Sequence, residues 1–132
     1  TAWLRSGVPD GARILTAELD ARLAGAAAEI FADDPQVDVL SADWSTLLDK
    51  GPFSLLFLDS GESQEVRVDA VADLLEEGGI VVLDDFTPCE SWPPTAYGRV
   101  DTIREEWLTD ERFTAVEVML SPDASAIIAT RR

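Results

Sequence analysis

Histidine is absent from the 132 residues, and cysteine occurs once, as Cys89. The missing histidine removes Ser–His–Asp and Cys–His catalysis and the commonest metal ligand. Any metal held by this chain must take oxygen ligands, which points to a hard cation such as Mg²⁺ or Ca²⁺. A lone cysteine forms no intrachain disulfide, so a reducing, cytoplasmic setting is expected. Positive charge is also scarce: 10 Lys and Arg stand against 26 Asp and Glu, for a net charge of −16. That balance argues against nucleic-acid backbones and anionic membrane surfaces as partners, because both reward basic residues. It suits a metal ion or a small cationic or neutral ligand, and for most of the acids it reads as solubility. No apolar stretch approaches membrane-spanning length, and no signal peptide is visible. The chain starts Thr-Ala-Trp without an initiator Met, so a natural N-terminus further upstream is expected.

What is present is a foldable core. Hydrophobic residues make up 46% of the chain, and the length suits a single domain over 1–132. Strand and helix patterns alternate. Residues 1–7 read as the end of a helix stopped by Gly7, and 12–19 as a strand. The alanine-rich stretch 20–34 reads as a helix ended by Pro35. A second strand is expected over 37–43, a short helix or turn over 44–51, and a strand buried on both faces over 52–59. Apolar residues at Val68, Val71, Ala72 and Leu75 give 63–79 a helical spacing, with Gly78 and Gly79 as its stop. Another buried strand follows at 80–85, then a loop over 86–99. A helix is expected over 100–110, with Val100, Ile103, Trp107 and Leu108 on one face. An antiparallel hairpin, 113–120 and 124–131, closes the chain. This order predicts an α/β fold with a mostly parallel sheet covered on both faces. Trp3 and Trp107 are expected in the core.

Four of the strands end in acid: Glu18, Asp43, Asp59 and the pair Asp84–Asp85. In an open α/β sheet, ligands bind outside the carboxyl ends of the strands. Aspartates placed after strands also cap the helices that follow. For Asp20 capping is the preferred reading. For Asp59 capping and function weigh about evenly, since Ser60 or Ser63 can cap instead. Glu18 has a specific alternative, because an acid at the end of a second strand accepts hydrogen bonds from ribose hydroxyls about 20 residues after a glycine-rich loop. Counted back from Glu18, that loop and its first strand would lie upstream of Thr1.

Several motifs together resemble the class I S-adenosylmethionine-dependent O-methyltransferases, the catechol and caffeoyl-CoA O-methyltransferase-like group. The segment "TAWLRSGVPDGARILTAELD" is similar to the helix, turn and second strand after that family's cofactor loop. "VLSADW" resembles a strand ending Gly-Asp-Ala, "GPFSLLFLDS" one ending Phe-(Leu/Ile)-Asp-Ala, and "LLEEGGIVVLDDF" the family's Gly-Gly-x-(Ile/Val)-x-x-Asp-Asn. The resemblance implies a Rossmann-like, doubly wound, mostly parallel sheet with an antiparallel C-terminal hairpin whose last strand is inserted beside the fifth. It implies S-adenosylmethionine as cofactor, with Glu18 at the ribose, Asp43 and Trp44 at the adenine, and Asp59 at the edge of the cofactor site. It further implies Asp59, Asp84 and Asp85 as metal ligands, for Mg²⁺ or a similar cation, and methylation of a small catechol-like or phenolic hydroxyl. A homodimer is expected from the same resemblance. Asp85 stands where the family usually has Asn, and no Lys follows Asp59 closely, where Glu62 lies instead. No residue is assigned as the catalytic base.

Adjacent residues on a regular strand point to opposite faces, so Asp84 and Asp85 converge only where the strand geometry has ended. Trp92, beside Pro93 and Pro94, is either a lid over an aromatic substrate or an anchor for its own loop. Arg99 and Arg104 are candidates to pair the surplus acids. Nothing basic near Cys89 suggests an activated thiolate. Two other classes stay open: a non-catalytic binding or dimerisation module on the same fold, and an acid-cluster, metal-binding signalling domain. The latter usually carries its paired acids on the first strand, before the acceptor aspartate.

Overall fold

A computed structural model describes residues 1–59 and 66–132. Ser60, Glu62 and Ser63, and the first residues of the helix expected over 63–79, lie outside the described residues. The chain divides into two compact units, Thr1–Asp49 and Lys50–Arg132.

The first unit runs α1 (Ala2–Gly7), β1 (Ile14–Glu18), α2 (Ala21–Ile30), β2 (Val37–Ser41) and a 3₁₀ turn over Trp44–Leu47. β1 and β2 are parallel, from Ile14 opposite Val37 to Glu18 opposite Ser41. α2 starts where Asp20 accepts the N–H groups of Arg22 and Leu23 at 2.8 and 3.1 Å, as an N-cap should. It ends at Phe31, short of Pro35, where the Phe31 N–H closes onto Ala27. Trp3 departs from the core expected for it and is 92% exposed. α1 buries none of its residues. It is held instead by Arg5, which pairs with Asp34 at 2.6 Å and donates to Gln36 at 2.8 Å.

The second unit runs β3 (Phe53–Leu58), α3 (Val68–Val71), a 3₁₀ turn (Ala72–Leu74), β4 (Leu75–Phe86), the short strands β5 (Thr95–Ala96) and β6 (Arg99–Val100), α4 (Thr102–Thr109), β7 (Phe113–Ser121) and β8 (Ala124–Arg131). Its sheet has the order β3-β4-β8-β7. β3 and β4 are parallel, while β8 lies antiparallel between β4 and β7. The closing hairpin and its insertion beside β4 are therefore as expected. The architecture is α/β and Rossmann-like, with parallel pairing between strands joined through helices.

Four expectations are corrected here. The helix expected over 63–79 is only one turn of α-helix and a 3₁₀ turn, because Leu75 already pairs with Phe53 and opens β4. Gly78 and Gly79 form an irregularity inside that strand instead of a helix stop. Gly78 has φ +79°, and a Cβ on Gly79 would meet the Glu76 and Phe53 carbonyls at 2.8 and 3.0 Å. The strands over 52–59 and 80–85 bury one face, not two. On β3, Leu56 is buried while Leu55 and Phe57 are 41% and 43% exposed. On β4, Val81 and Leu83 are buried while Ile80 faces out. The loop over 86–99 contains a small hairpin, β5 with β6, turned by Tyr97 (φ 51°) and Gly98 (φ 75°). That hairpin takes Val100 out of the helix and leaves it exposed.

The core of the second unit packs α3 and α4 residues with the inward faces of β4, β7 and β8. Trp107 is fully buried, as expected, edge-on to Phe113 with ring centroids 5.3 Å apart. Its Nε1–H donates to the Val66 carbonyl at 2.8 Å. No helix among the described residues is long and apolar enough to cross a membrane.

Candidate functional site

Within the second unit, β3 delivers Asp59 and β4 delivers Asp84 and Asp85. One carboxylate oxygen from each lies within 4.8 Å of the others. Asp59 and Asp85 are exposed and Asp84 is half-buried. Convergence of the two adjacent aspartates comes from a break in the ladder. Leu83 is opposite Ile127, but Phe86 is opposite Ser125, so β4 takes three steps where β8 takes two. The extra residue is a bulge. Asp85 lies in it with φ 67°, a left-handed conformation that Asp tolerates better than most residues. The strand therefore does not end at Asp84, as the sequence suggested it must for convergence, but is interrupted there.

An all-oxygen set of this kind fits a hard divalent cation by its donor chemistry. Exposed carboxylates also cluster without one, where they serve solubility.

Within the first unit, Glu18 ends β1 and its Oε1 accepts the Asp20 N–H at 2.8 Å. Asp43 follows β2, and its Oδ1 accepts the Ser45 N–H at 2.9 Å as the cap of the 3₁₀ turn. The Ser45 hydroxyl, and next its N–H, holds the Asp43 carboxyl below the usual range. Capping thus accounts for one oxygen each of Asp20 and Asp43. Trp44 is half-buried as the first residue of the turn.

The segment after β4 carries Trp92, 63% exposed, and Cys89. The Cys89 thiol lies 3.2 Å from the Ser91 hydroxyl and accepts the Thr95 N–H at 3.3 Å. These contacts, Ser91 first, draw its pKa down to about 7. No basic neighbour is involved: neutral donors a few residues away favour the thiolate. The pattern Cys-x-Ser with a Thr shortly after was the available signal.

No family model matches the chain, and no curated protein matches it. Solved structures share its fold. A protein from Corynebacterium glutamicum is 16% identical over 98% of this chain and 65% of its own, with a TM-score of 0.76. A methyltransferase from Podospora anserina bound to S-adenosylhomocysteine is 16% identical over 99% of this chain and 65% of its own, with a TM-score of 0.71. An N-methyltransferase from Bradyrhizobium japonicum is 17% identical over 90% of this chain and 73% of its own, with a TM-score of 0.58. The chain thus spans just under two thirds of the length of the first two.

Proposed function

With the methyltransferase fold as the premise, we propose that this chain serves an S-adenosylmethionine-dependent methyltransferase acting on a small catechol-like or phenolic hydroxyl, with a divalent cation such as Mg²⁺ at Asp59, Asp84 and Asp85. The observation that carries the acceptor and cation is the approach of those three carboxylates at the ends of two parallel strands. That is where open α/β sheets bind ligands. When bound, the cofactor supplies an electrophilic methyl group and the cation stabilises negative charge on the acceptor oxygen.

The chain's own residues hold and orient. Glu18 accepts hydrogen bonds from the ribose hydroxyls. Asp43 receives the adenine amino group through the oxygen not used as a cap, and Trp44 offers an apolar wall. Asp59 serves the cation. Trp92 covers the acceptor's ring and excludes water. Such positioning supplies much of the rate in a direct methyl transfer, where the acceptor oxygen must be in line with the methyl. A single domain acting as a homodimer on a small molecule in the cytoplasm completes the reading.

Calorimetry of the full-length protein with S-adenosylhomocysteine tests the cofactor. Absence of binding at millimolar ligand would remove the proposal, and binding without turnover of any phenol would leave a binding module. Turnover of a catechol that is lost in Asp59→Ala and in chelator supports the cation, whereas turnover indifferent to chelator removes it.

A further inference from the structure

The segment between β4 and α4 leaves the sheet at Thr87 and reaches α4 at its N-cap, Asp101, and both of its ends meet one side chain. Arg104, on the first turn of α4, is 1% exposed. Its Nη2 donates to the Thr87 carbonyl at 2.8 Å. Its Nε lies 3.2 Å from Oδ2 of Asp101, and its Nη1 donates to Oε1 of Glu117 on β7 at 3.3 Å. The guanidinium carbon stands 5.1 Å from the centre of the Phe86 ring. Its partners are themselves engaged. Asp101 caps α4 by accepting the Arg104 N–H at 3.0 Å, and the Asp101 N–H donates to the Pro94 carbonyl at 2.8 Å. Glu117 also accepts the buried Ser125 hydroxyl at 2.6 Å.

A buried guanidinium is a costly way to fill a core. The cost shows here, since the Arg104 Nε is the buried side-chain polar atom, among the described residues, left without a hydrogen bond of good geometry. Leucine or methionine at this position would pack beside Phe86 without that burden. What arginine adds is a rigid fork of donors able to reach several chain segments at once.

We propose that Arg104 is a positioning residue: it fastens both ends of the 87–101 segment to β7 and so sets where that segment stands beside the Asp84–Asp85 end of β4. The role in acceptor binding rests on the reading above that this segment borders the acceptor. The fastening itself does not. Within the segment, the Cys89, Ser91 and Thr95 contacts close on one another, with the Ser91 and Thr95 hydroxyls 3.3 Å apart. These contacts lie inside the segment whose ends Arg104 holds, so Cys89, the chain's one cysteine, is the probe of whether that hold reaches them.

The test is the pH dependence of Cys89 alkylation by iodoacetamide in the full-length wild type, Arg104→Lys and Arg104→Met, with thermal melts to confirm that each is folded. A single ammonium cannot serve three segments, so both variants are expected to move the reactivity midpoint up by about one unit, toward the ordinary thiol value. Where a catechol is methylated, Arg104→Lys raises its KM about tenfold with a smaller change in kcat. A folded Arg104→Met whose alkylation profile superimposes on wild type overturns the inference. If Arg104→Met does not fold, an unshifted profile in Arg104→Lys does the same. Failure of the wild type to bind S-adenosylhomocysteine overturns the methyltransferase reading and leaves the alkylation result to decide the role of Arg104.

Discussion

Asp84 turns its carboxylate onto the amide of its own neighbour, with Oδ1 accepting the Asp85 N–H at 2.9 Å. That contact lies at the ladder break where Asp85 takes φ 67°. The backbone at 85 suits Asn, Asp and Gly and penalises a β-branched side chain by about 1–2 kcal/mol. Asp85→Asn is expected to unfold in urea within about 0.5 kcal/mol of wild type. Asp85→Val should lose about 1–2 kcal/mol. Equal stability of the two would mean that position 85 is not left-handed in solution.

Cation affinity should follow the number of carboxylates at the bulge. Asp84→Asn and Asp85→Asn are each expected to weaken Mn²⁺ binding, measured by the loss of the free-ion paramagnetic resonance signal, by about tenfold, since ligand charge tunes such sites. An affinity unchanged in both would assign the cluster to solubility.

Cys89 should alkylate as a thiolate with a midpoint near its lowered pKa of about 7. The sign follows from the direction of the shift: reactivity rises about tenfold per unit up to the midpoint and levels off above it. Ser91→Ala removes the largest cause, so its midpoint should move upward toward the ordinary thiol value.

Trp107→Phe keeps the ring packed near Phe113 but removes the donor to the Val66 carbonyl. An unsatisfied buried carbonyl costs about 1–3 kcal/mol. Trp107→Ala should cost about 3–5 kcal/mol, because it also opens a cavity. Both are read from denaturant midpoints.

Two glycines should respond in opposite directions. Gly25 lies inside α2 with no atom within 4 Å of a Cβ built there, so Gly25→Ala should stabilise by about 0.5–1 kcal/mol. Gly79→Ala drives a methyl against two backbone carbonyls that cannot swing aside. It should destabilise by about 1–3 kcal/mol.

The elements whose side chains answer to local rules were legible in the sequence: the Asp20 cap, the alanine-rich α2, and the β7–β8 hairpin around its Ser-Pro-Asp turn. Asp59, Asp84 and Asp85 were legible as a group because strand ends share a side of the sheet. What escaped depended on partners distant in the chain. Leu75 reads as helical until Phe53 pairs with it. The helical position of Trp3 carries no information about whether anything packs on it. Asp85 requires a bulge set by the register of β8, some 40 residues downstream. Arg104 was legible as a partner for acids, but not as the meeting point of Thr87, Asp101 and Glu117, which only the folded chain brings together.

The exposed apolar side chains of β3 give the surplus acid a colloidal role. Leu55 and Phe57 stand half-exposed there, and apolar area of this kind draws copies together once charge no longer holds them apart. A net charge of −16 keeps copies apart in dilute salt, where the screening length is about 10 Å, and much less so at 1 M, where it is about 3 Å. Salt that would ordinarily be added to quiet electrostatics will therefore favour association, and the protein is best kept where its own charge is felt.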